Sequence, residues 1–585
     1  MEDAEILRKY DADVIAWGAQ LPWPSDSTIG KRIADIRSAR SAGVKHHAVD
    51  FALIQEGTRY LARTVGLWDL DDLNGTALKP GQIETLKDHA VLDCARTIVG
   101  VPWNGARWTP MACTLDPGYR RWLLNRIDAL MSTAPDMLHV DEPLAGAEGL
   151  HAKHPGCFCD RCCAAFRAHL RNGPEAVWRR AGIREMETFN YRDFVAANGG
   201  APRKAPLWDE FGRFQGRAAS DLLKELLDRA RRHGGDSLRV GANAHPAGGR
   251  TLPLMPLLDY TVVELRHRAE RLAVPDDPIL AYKMGDSLGV PVFATALGDD
   301  WARMIKEPHP VLVSAWIAQA YAFGHWMMMP HNAWSPTGRY LPPPEEYAGL
   351  AAWIRKKAGL LDGYREVSTT ALVVSASVLN DENDKDRLVR LCGRLCRRGV
   401  PFHIVLAGGG DAPERPLTPA DFQGAAQTIV PFPRRISSDE MSRIRDLAGN
   451  GSFLPMERDR VGGELPATLA APVRVKGAGG IIALPRRRRT RSGDRIVVHL
   501  LNREYDPQAR AMKRKGPFTV GIDRALTGGT GISGAVLHLP PLPGDAGDGS
   551  DRRIPLKARR SPAADEITVP SLAVWGILEL TETAP

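Results

Sequence analysis

No uninterrupted apolar stretch in the 585-residue chain approaches the ~20 residues that a membrane-spanning helix requires. The start, "MEDAEILRKYD", lacks the basic segment and apolar run of a secretory leader. The expected compartment is therefore the cytoplasm, and no membrane partner is expected. The chain also opens almost directly into the strand-like "DVIAWGAQ", as a clipped N-terminus would. A nucleotide-cradling loop is missing too: "LAGGGDAP" follows a strand, but no helix of the right pattern continues it. Basic charge is not concentrated. Net charge is +8, yet lysine and arginine are spread among 69 acidic residues. The one dense run, "RRRRTR" at Arg486–Arg491, lies between apolar "GIIAL" and "IVVHLL" and reads as a hairpin loop, so no nucleic-acid partner is expected. Cysteine is scarce, 8 in all, and half of it falls in one short stretch, "HPGCFCDRCCAAF".

What is present is ordinary globular material, 44% apolar and 25% charged, on a chain too long for one core. Up to Tyr364, short apolar runs alternate with amphipathic segments. The strand candidates are "DVIAWG", "VKHHAVDFAL", "TIVGVPW", "MLHVDEP", "LRVGANAH", "YTVVELRH", "PVFATAL" and "GHWMMMPHNAW". Between them, "DPGYRRWLLNRIDALMST" reads as a helix with Asp116 as its cap and Pro117 in its first turn. Eight strands alternating with helices predict an α/β (β/α)8 TIM barrel over residues 1–364. Residues 365–460 read as a small parallel, flavodoxin-like α/β domain. In it "DKDRLVRLCGRLCRRG" is a helix stopped by Gly399. Residues 461–585, short alternating segments split by Gly and Pro, read as a C-terminal β-sandwich.

Cys157, Cys159 and Cys162 form C-x-C-x-x-C at the entry to a helix. In a reducing compartment, thiols this close are zinc ligands or simply buried. As ligands they leave one tetrahedral position, which Cys113 in "MACTLDP" can close. Four thiolates make a structural Zn2+ site. Cys163 would point away, and Cys94, Cys392 and Cys396 fall in helical patterns as core.

"RWTPMACTLDPGYRRWL", then a strand ending in "DE", then "GCFCDRCCAAFRAHL" resembles the β-galactosidases of glycoside hydrolase family 42. The matched motifs cover about residues 103–171, and the domain order is similar along most of the chain. The resemblance implies zinc ligands at Cys113, Cys157, Cys159 and Cys162, a substrate-side Arg107, a general acid/base at Glu142, and a homo-oligomer, namely a trimer. Two departures stand out. The family has Asn where this chain has Asp141. Its strand-seven nucleophile would fall near Ala296, where no carboxylate occurs before Asp299.

The residues themselves supply a barrel-mouth series: polar groups ending successive strands, where barrel active sites lie. Glycoside hydrolysis needs an acid and a second carboxylate. Glu142 is the expected acid. Asp141 beside it should face the opposite side of an extended strand, unless the strand end brings both in. Glu264 is the expected second carboxylate, with Asp299, Asp300 and Asp50 as rivals. Trp103, Trp334, Asn104, Arg107, Asn243, His245, His331 and Asn332 complete an expected sugar pocket. The function this predicts is an exo-acting glycosidase on oligosaccharides. A non-catalytic sugar-binding protein on the same scaffold is the alternative, because the strand-seven carboxylate is absent.

Overall fold

The computed structural model describes residues 4–21, 23–68, 78–103, 106–144, 156–330, 342–408, 416–449, 451–491, 493–543, 552–561 and 564–582, with only the backbone considered at 101–103 and 106–108. The chain divides into two compact units. The first comprises Met1, Asp13–Ala244 and Pro253–Tyr260, and the second Glu2–Ala12, His245–Leu252 and Thr261–Pro585. Among the described residues no helix is long and apolar enough to cross a membrane.

In the first unit four parallel strands stand side by side: β1 (Val14–Ile15), β2 (His46–Ala52), β5 (Met137–Asp141) and β6 (Arg239–Asn243). The expected third stave is different. Gly100–Trp103 (β3) and Ala106–Pro110 (β4) pair antiparallel as a hairpin and do not join the parallel strands. The sequence between them is Asn-Gly, the pair that two-residue hairpin loops favour. That turn chemistry overrides the apolar run that suggested a stave.

The helix Pro117–Met131 forms as its sequence predicts. Asp116 accepts the Gly118 N–H at 2.8 Å, Pro117 sits in the first turn, and Leu123, Ile127, Leu130 and Met131 are buried. The strand layer is packed by close backbone approach. A Cβ on Gly241 would stand 2.4 Å from the Tyr260 ring, whose hydroxyl donates to the Leu138 and Ala16 carbonyls at 3.1 and 3.4 Å.

The second unit carries three more parallel strands, β7 (Tyr260–Leu265, all but its first residue in this unit), β8 (Val292–Ala296) and β9 (Trp326–Met327). A further four parallel strands follow in the spatial order Phe402–Ala407, Thr370–Ser375, Gln427–Pro431, Ser452–Met456. The helix Glu382–Arg397 beside them buries Leu388, Leu391 and Leu395 together with Cys392 and Cys396, and Gly399 just past it takes φ +70°. Lys283, 1% exposed, is buried among these elements. Its Nζ donates to the Phe402 carbonyl at 2.8 Å and to the Glu366 carboxylate, and lies 4.3 Å from the Phe402 ring.

The remaining nine-stranded sheet, counted among the described residues, is antiparallel. Here the arginine run is not a loop. Arg486–Arg489 lie inside the strand Ile481–Thr490, paired with Gly493–Asn502. Arg486 is buried and donates to the Tyr364 carbonyl at 2.8 Å, and Arg487 donates to the Leu526 carbonyl at 2.6 Å. Their aliphatic stems tolerate strand burial while the guanidinium heads satisfy carbonyls.

Gly241→Ala should lower the thermal midpoint, with a cost of about 1–3 kcal/mol from overpacking against Tyr260. Gly30→Ala, in the helix Asp26–Ser41 where an added Cβ meets nothing within 4 Å, should raise it, with a gain in stability of about 0.5–1 kcal/mol. Calorimetry on the pair checks the close-approach argument.

Candidate active site

Register sets the composition of the site. Asp50 on β2 lies opposite His139 on β5, and Ala52 opposite Asp141. On the other side of β5, His139 pairs with Gly241 and Val140 with Ala242, which brings Asn243 beside Asp141. With a side-chain period of two, His139 and Asp141 share a face. Their contacts confirm it. His139 Nδ1 lies 2.8 Å from Asp50 Oδ1, and Asn243 Nδ2 donates to Asp141 Oδ1 at 3.0 Å. Trp17 leans on the His139 ring, centroids 4.8 Å apart. All three ionisable groups are buried: Asp50 at 3%, His139 at 0% and Asp141 at 7% exposure.

Burial pushes the Asp141 carboxyl up to about 6. The charge of Asp50 adds to the rise, while His139, Asn243 and the Glu142 N–H pull against it. The result is one carboxyl that holds its proton into the mildly acidic range beside another tied to a histidine.

Glu142 behaves differently. It is the first residue past β5 and adopts a left-handed conformation, φ +57°. Its Oε2 accepts the Ile54 N–H at 3.3 Å, in the first turn of the helix Leu53–Thr64, whose N-cap residue Ala52 offers no side-chain acceptor. Its charge is felt by the buried Tyr119 hydroxyl, which donates to the Leu53 carbonyl at 3.0 Å. The expected acid therefore caps a helix, where a carboxylate also complements the helix dipole. Asp141, expected to face away, sits with Asp50, His139 and Asn243. Alternation from the paired strand fixes this. The left-handed turn comes one residue too late to reverse it.

The other expected residues distribute as follows. Glu264 lies in the second unit, half-buried on β7 opposite Thr295, and the Arg268 guanidinium beyond it goes to Asp277 at 2.9 Å. Ala296 ends β8; Asp299 is exposed in the first turn of the helix Gly298–Lys306. Asp300 is a loop clamp, accepting the His267 and Ala269 N–H groups at 2.7 Å each. His245 is also in the second unit, its Nδ1 accepting the Ala247 N–H at 3.0 Å, and burial holds it neutral with a pKa of about 3. Trp103 and Arg107 lie on the two strands of the β3–β4 hairpin. Asn104, His331, Asn332 and Trp334 fall outside the described residues.

Four buried cysteines, Cys113, Cys157, Cys159 and Cys162, come together with all Sγ atoms within 4.8 Å of one another. Cys113 Sγ is 3.5 Å from Cys162 Sγ and 3.7 Å from Cys159 Sγ. A tetrahedral zinc with ~2.3 Å bonds separates its sulfurs by about 3.8 Å, so the four thiols fit the ion. Cys163 points elsewhere, its Sγ 3.5 Å from the Phe158 carbonyl. Cys94, expected in a helix, is half-buried in a turn. The segments are braced around the cluster. Cys113 N–H donates to the His89 carbonyl at 2.8 Å and Phe158 N–H to the Leu92 carbonyl at 2.8 Å, while Gln215 bonds both the N–H and the carbonyl of Cys157.

Comparison with solved structures establishes the type of fold. The α-L-fucosidase isoenzyme 2 of Paenibacillus thiaminolyticus superposes with a TM-score of 0.61, at 11% identity over 99% of this chain and 96% of that one. The β-galactosidase of Rahnella sp. R3 superposes with a TM-score of 0.54, at 11% identity over 97% and 95%. The chain thus has the mixed α/β fold of these TIM-barrel glycosidases. In sequence it is similar to α-agarase from Thalassotalea agarivorans, 22% identical over 563 residues that make up 91% of this chain and 37% of the relative. It is also similar to α-agarase from Alteromonas agarilytica, 21% identical over 493 residues, 79% of this chain and 33% of the relative. The chain spans about a third of the length of these relatives. No family model matches it.

A carboxyl raised above its ordinary 3.8 keeps in the native state a proton that the unfolded chain has lost. Native stability therefore falls as pH rises from about 4 to about 6, and stays reduced above that. Asp141→Asn abolishes the ionisation, so its thermal midpoint should gain on wild type at pH 8 but not at pH 4. Melting curves at both values check it.

Proposed function

We propose that the chain is a glycoside hydrolase acting on a galactan of the agar type, with Asp141 as its general acid and Asp50 as the second carboxylate. What carries the reading is the placement of two buried acids on one face of the sheet with different side-chain partners, His139 for Asp50 and Asn243 for Asp141. Such a difference divides acid from base or nucleophile. Asp141, protonated below about pH 6, gives its proton to the glycosidic oxygen as the bond to the anomeric carbon breaks. Asp50, 2.8 Å from His139 Nδ1, faces the oxocarbenium-like centre and either bonds to it or takes the proton of the attacking water. Asn243 orients Asp141. Glu142 is a positioning residue: by capping the helix that follows β2, it fixes the start of that helix against the end of β5. The similarity to α-agarases supports the substrate class, and the glycosidase fold supports the chemistry. Action from the chain end is part of the same proposal.

On purified protein with agarose oligosaccharides, Asp141→Asn and Asp50→Asn should each lower kcat/KM by at least ~10²-fold. Glu142→Gln should cost less and should also lower the thermal midpoint. Glu264→Gln, in the second unit, should retain most activity; a collapse in that variant would move the second carboxylate from Asp50 to Glu264. The wild-type rate should fall as pH rises through about 6. If wild type and Asp141→Asn are equally inert on agar, fucosyl and galactosyl substrates, the non-catalytic sugar-binding reading replaces this one; the exposure of Asp299 and the clamp role of Asp300 are what favour it.

We further propose that Cys113, Cys157, Cys159 and Cys162 hold one structural Zn2+, and that the chain forms a homo-oligomer, a trimer by its resemblance to family 42. An ion closed by four thiolates has no position for water, and its contribution is to cross-link the Cys113 segment to the helix Asp160–Asn172. Elemental analysis should give one zinc per chain. Cys113→Ser should lower both the metal content and the thermal midpoint, and light scattering should give three times the chain mass.

A further inference from the structure

The first unit has a surface feature that hydrolysis at Asp141 does not use. Among the described residues, Trp68 is the most exposed of the exposed large hydrophobic side chains, at 54%. It belongs to a stepped aromatic array. Its ring centroid is 5.3 Å from that of Trp23 with the planes tilted by 33°, and Trp23 is 5.6 Å from Trp122 at 51°. The Arg63 guanidinium carbon lies 4.2 Å from the Trp68 ring centre and 5.1 Å from that of Trp23.

The array is anchored from below. Trp122 Nε1–H donates to Glu56 Oε2 at 3.1 Å. Glu56, 3% exposed, also takes Arg126 at 2.8 Å and Arg59 at 2.7 Å. From this buried acid the indoles step outward: Trp122 and Trp23 half-buried, Trp68 exposed. Arg63 is exposed and enters no ion pair among the described residues.

Core packing does not explain an array whose outermost ring remains more than half in water. Burying that indole would be favourable, and an exposed aromatic group rimmed by polar atoms marks a binding surface. The chemistry selects the ligand. Indole faces stack on the apolar C–H faces of a pyranose ring, and a guanidinium fork supplies paired donors to its hydroxyls. The single cation does not make an anion trap, and the tilt between neighbouring rings suits a chain that turns from one residue to the next. Arg63 packed against Trp68 restrains the indole before binding, which lowers the entropy cost of association.

We propose that Trp68, Trp23 and Arg63 form a second saccharide-binding platform, for a chain of neutral hexopyranoses, separate from the Asp50–Asp141 site. The choice of galactan as its chain rests on the glycosidase reading; the stacking chemistry does not.

The test is isothermal titration of the full chain with neutral agarose oligosaccharides, in the Asp141→Asn background so that no hydrolysis interferes. Trp68→Ala and Arg63→Ala should each weaken one saturable binding event by about tenfold or more. Both side chains are exposed, so unchanged thermal midpoints should confirm folding. Repeating the titration with maltodextrin and xylan oligosaccharides separates galactan selectivity from general stacking. Binding of any of the three that depends on Trp68 supports the platform, even if the wild-type chain proves unable to hydrolyse agar. Binding of equal strength with and without the Trp68 indole for every one of the three that binds, or no saturable binding of any of them, overturns it.

Discussion

Two carboxylates sharing a dry strand face constrain everything else in the candidate site. Charging both in low dielectric is costly, so the surrounding groups must settle which one keeps its proton. His139 sides with Asp50, 2.8 Å away, and leaves Asp141 with a neutral amide as its side-chain partner. The arrangement works only if neither acid drifts, because Coulomb energy at these separations changes steeply with distance. Strand pairing provides that fixity. Both acids and the histidine are held by a backbone ladder in which a slip of β5 by one residue would turn His139 and Asp141 away from the face that carries Asp50.

The surroundings are built to prevent such a slip. Gly18 and Gly241 allow contacts no side chain would permit: a Cβ on Gly18 would lie 1.7 Å from the Ala48 carbonyl oxygen. Tyr260 ties the residue just after β1, Ala16, to the β5 backbone through one hydroxyl. The Glu56–Arg126 pair, buried on both sides, reaches the Leu21 carbonyl as well, so the helix after β2 and the segment after β1 move together. The four-cysteine cluster does the same for the segments around His89 and Leu92. Its neighbour Asp116, bonded to His89 at 2.5 Å and to Tyr60 at 3.1 Å, caps the helix Pro117–Met131 at the same spot. Strand register at the acids and the packed thiol cluster thus both belong to the first unit.

Much of this was legible in the residues. Apolar runs located seven of the eight expected staves, Asp116-Pro117 marked a helix start, and the C-x-C-x-x-C spacing with Cys113 anticipated the thiol cluster. The failures have physical causes. "VGVPWNGARW" carries both a strand run and a hairpin turn, and nothing local says which partner the strand will take. Pairing is a long-range choice. The arginine run read as a loop because charge normally stays in water, but each buried guanidinium found a carbonyl acceptor that only the tertiary fold supplies. Cys94 was placed by helical period in a segment that is a turn.

The adjacent acids Asp141 and Glu142 show how one residue along a strand end changes what a carboxylate meets. Both are buried, the first ends β5 and the second follows it, and family resemblance favours the second. Alternation assigns the first to the face that carries Asp50, and the left-handed backbone at Glu142 then turns the chain so that the second carboxylate meets the Ile54 N–H. A non-glycine residue in that conformation costs about 1 kcal/mol or more and persists where its surroundings repay it. Here the return is a capped helix start directly beside the acid face. Under the proposed mechanism, the Asp that replaces the family's Asn is then no loss of function. That mechanism assigns the proton to Asp141 and leaves Glu142 as part of the frame.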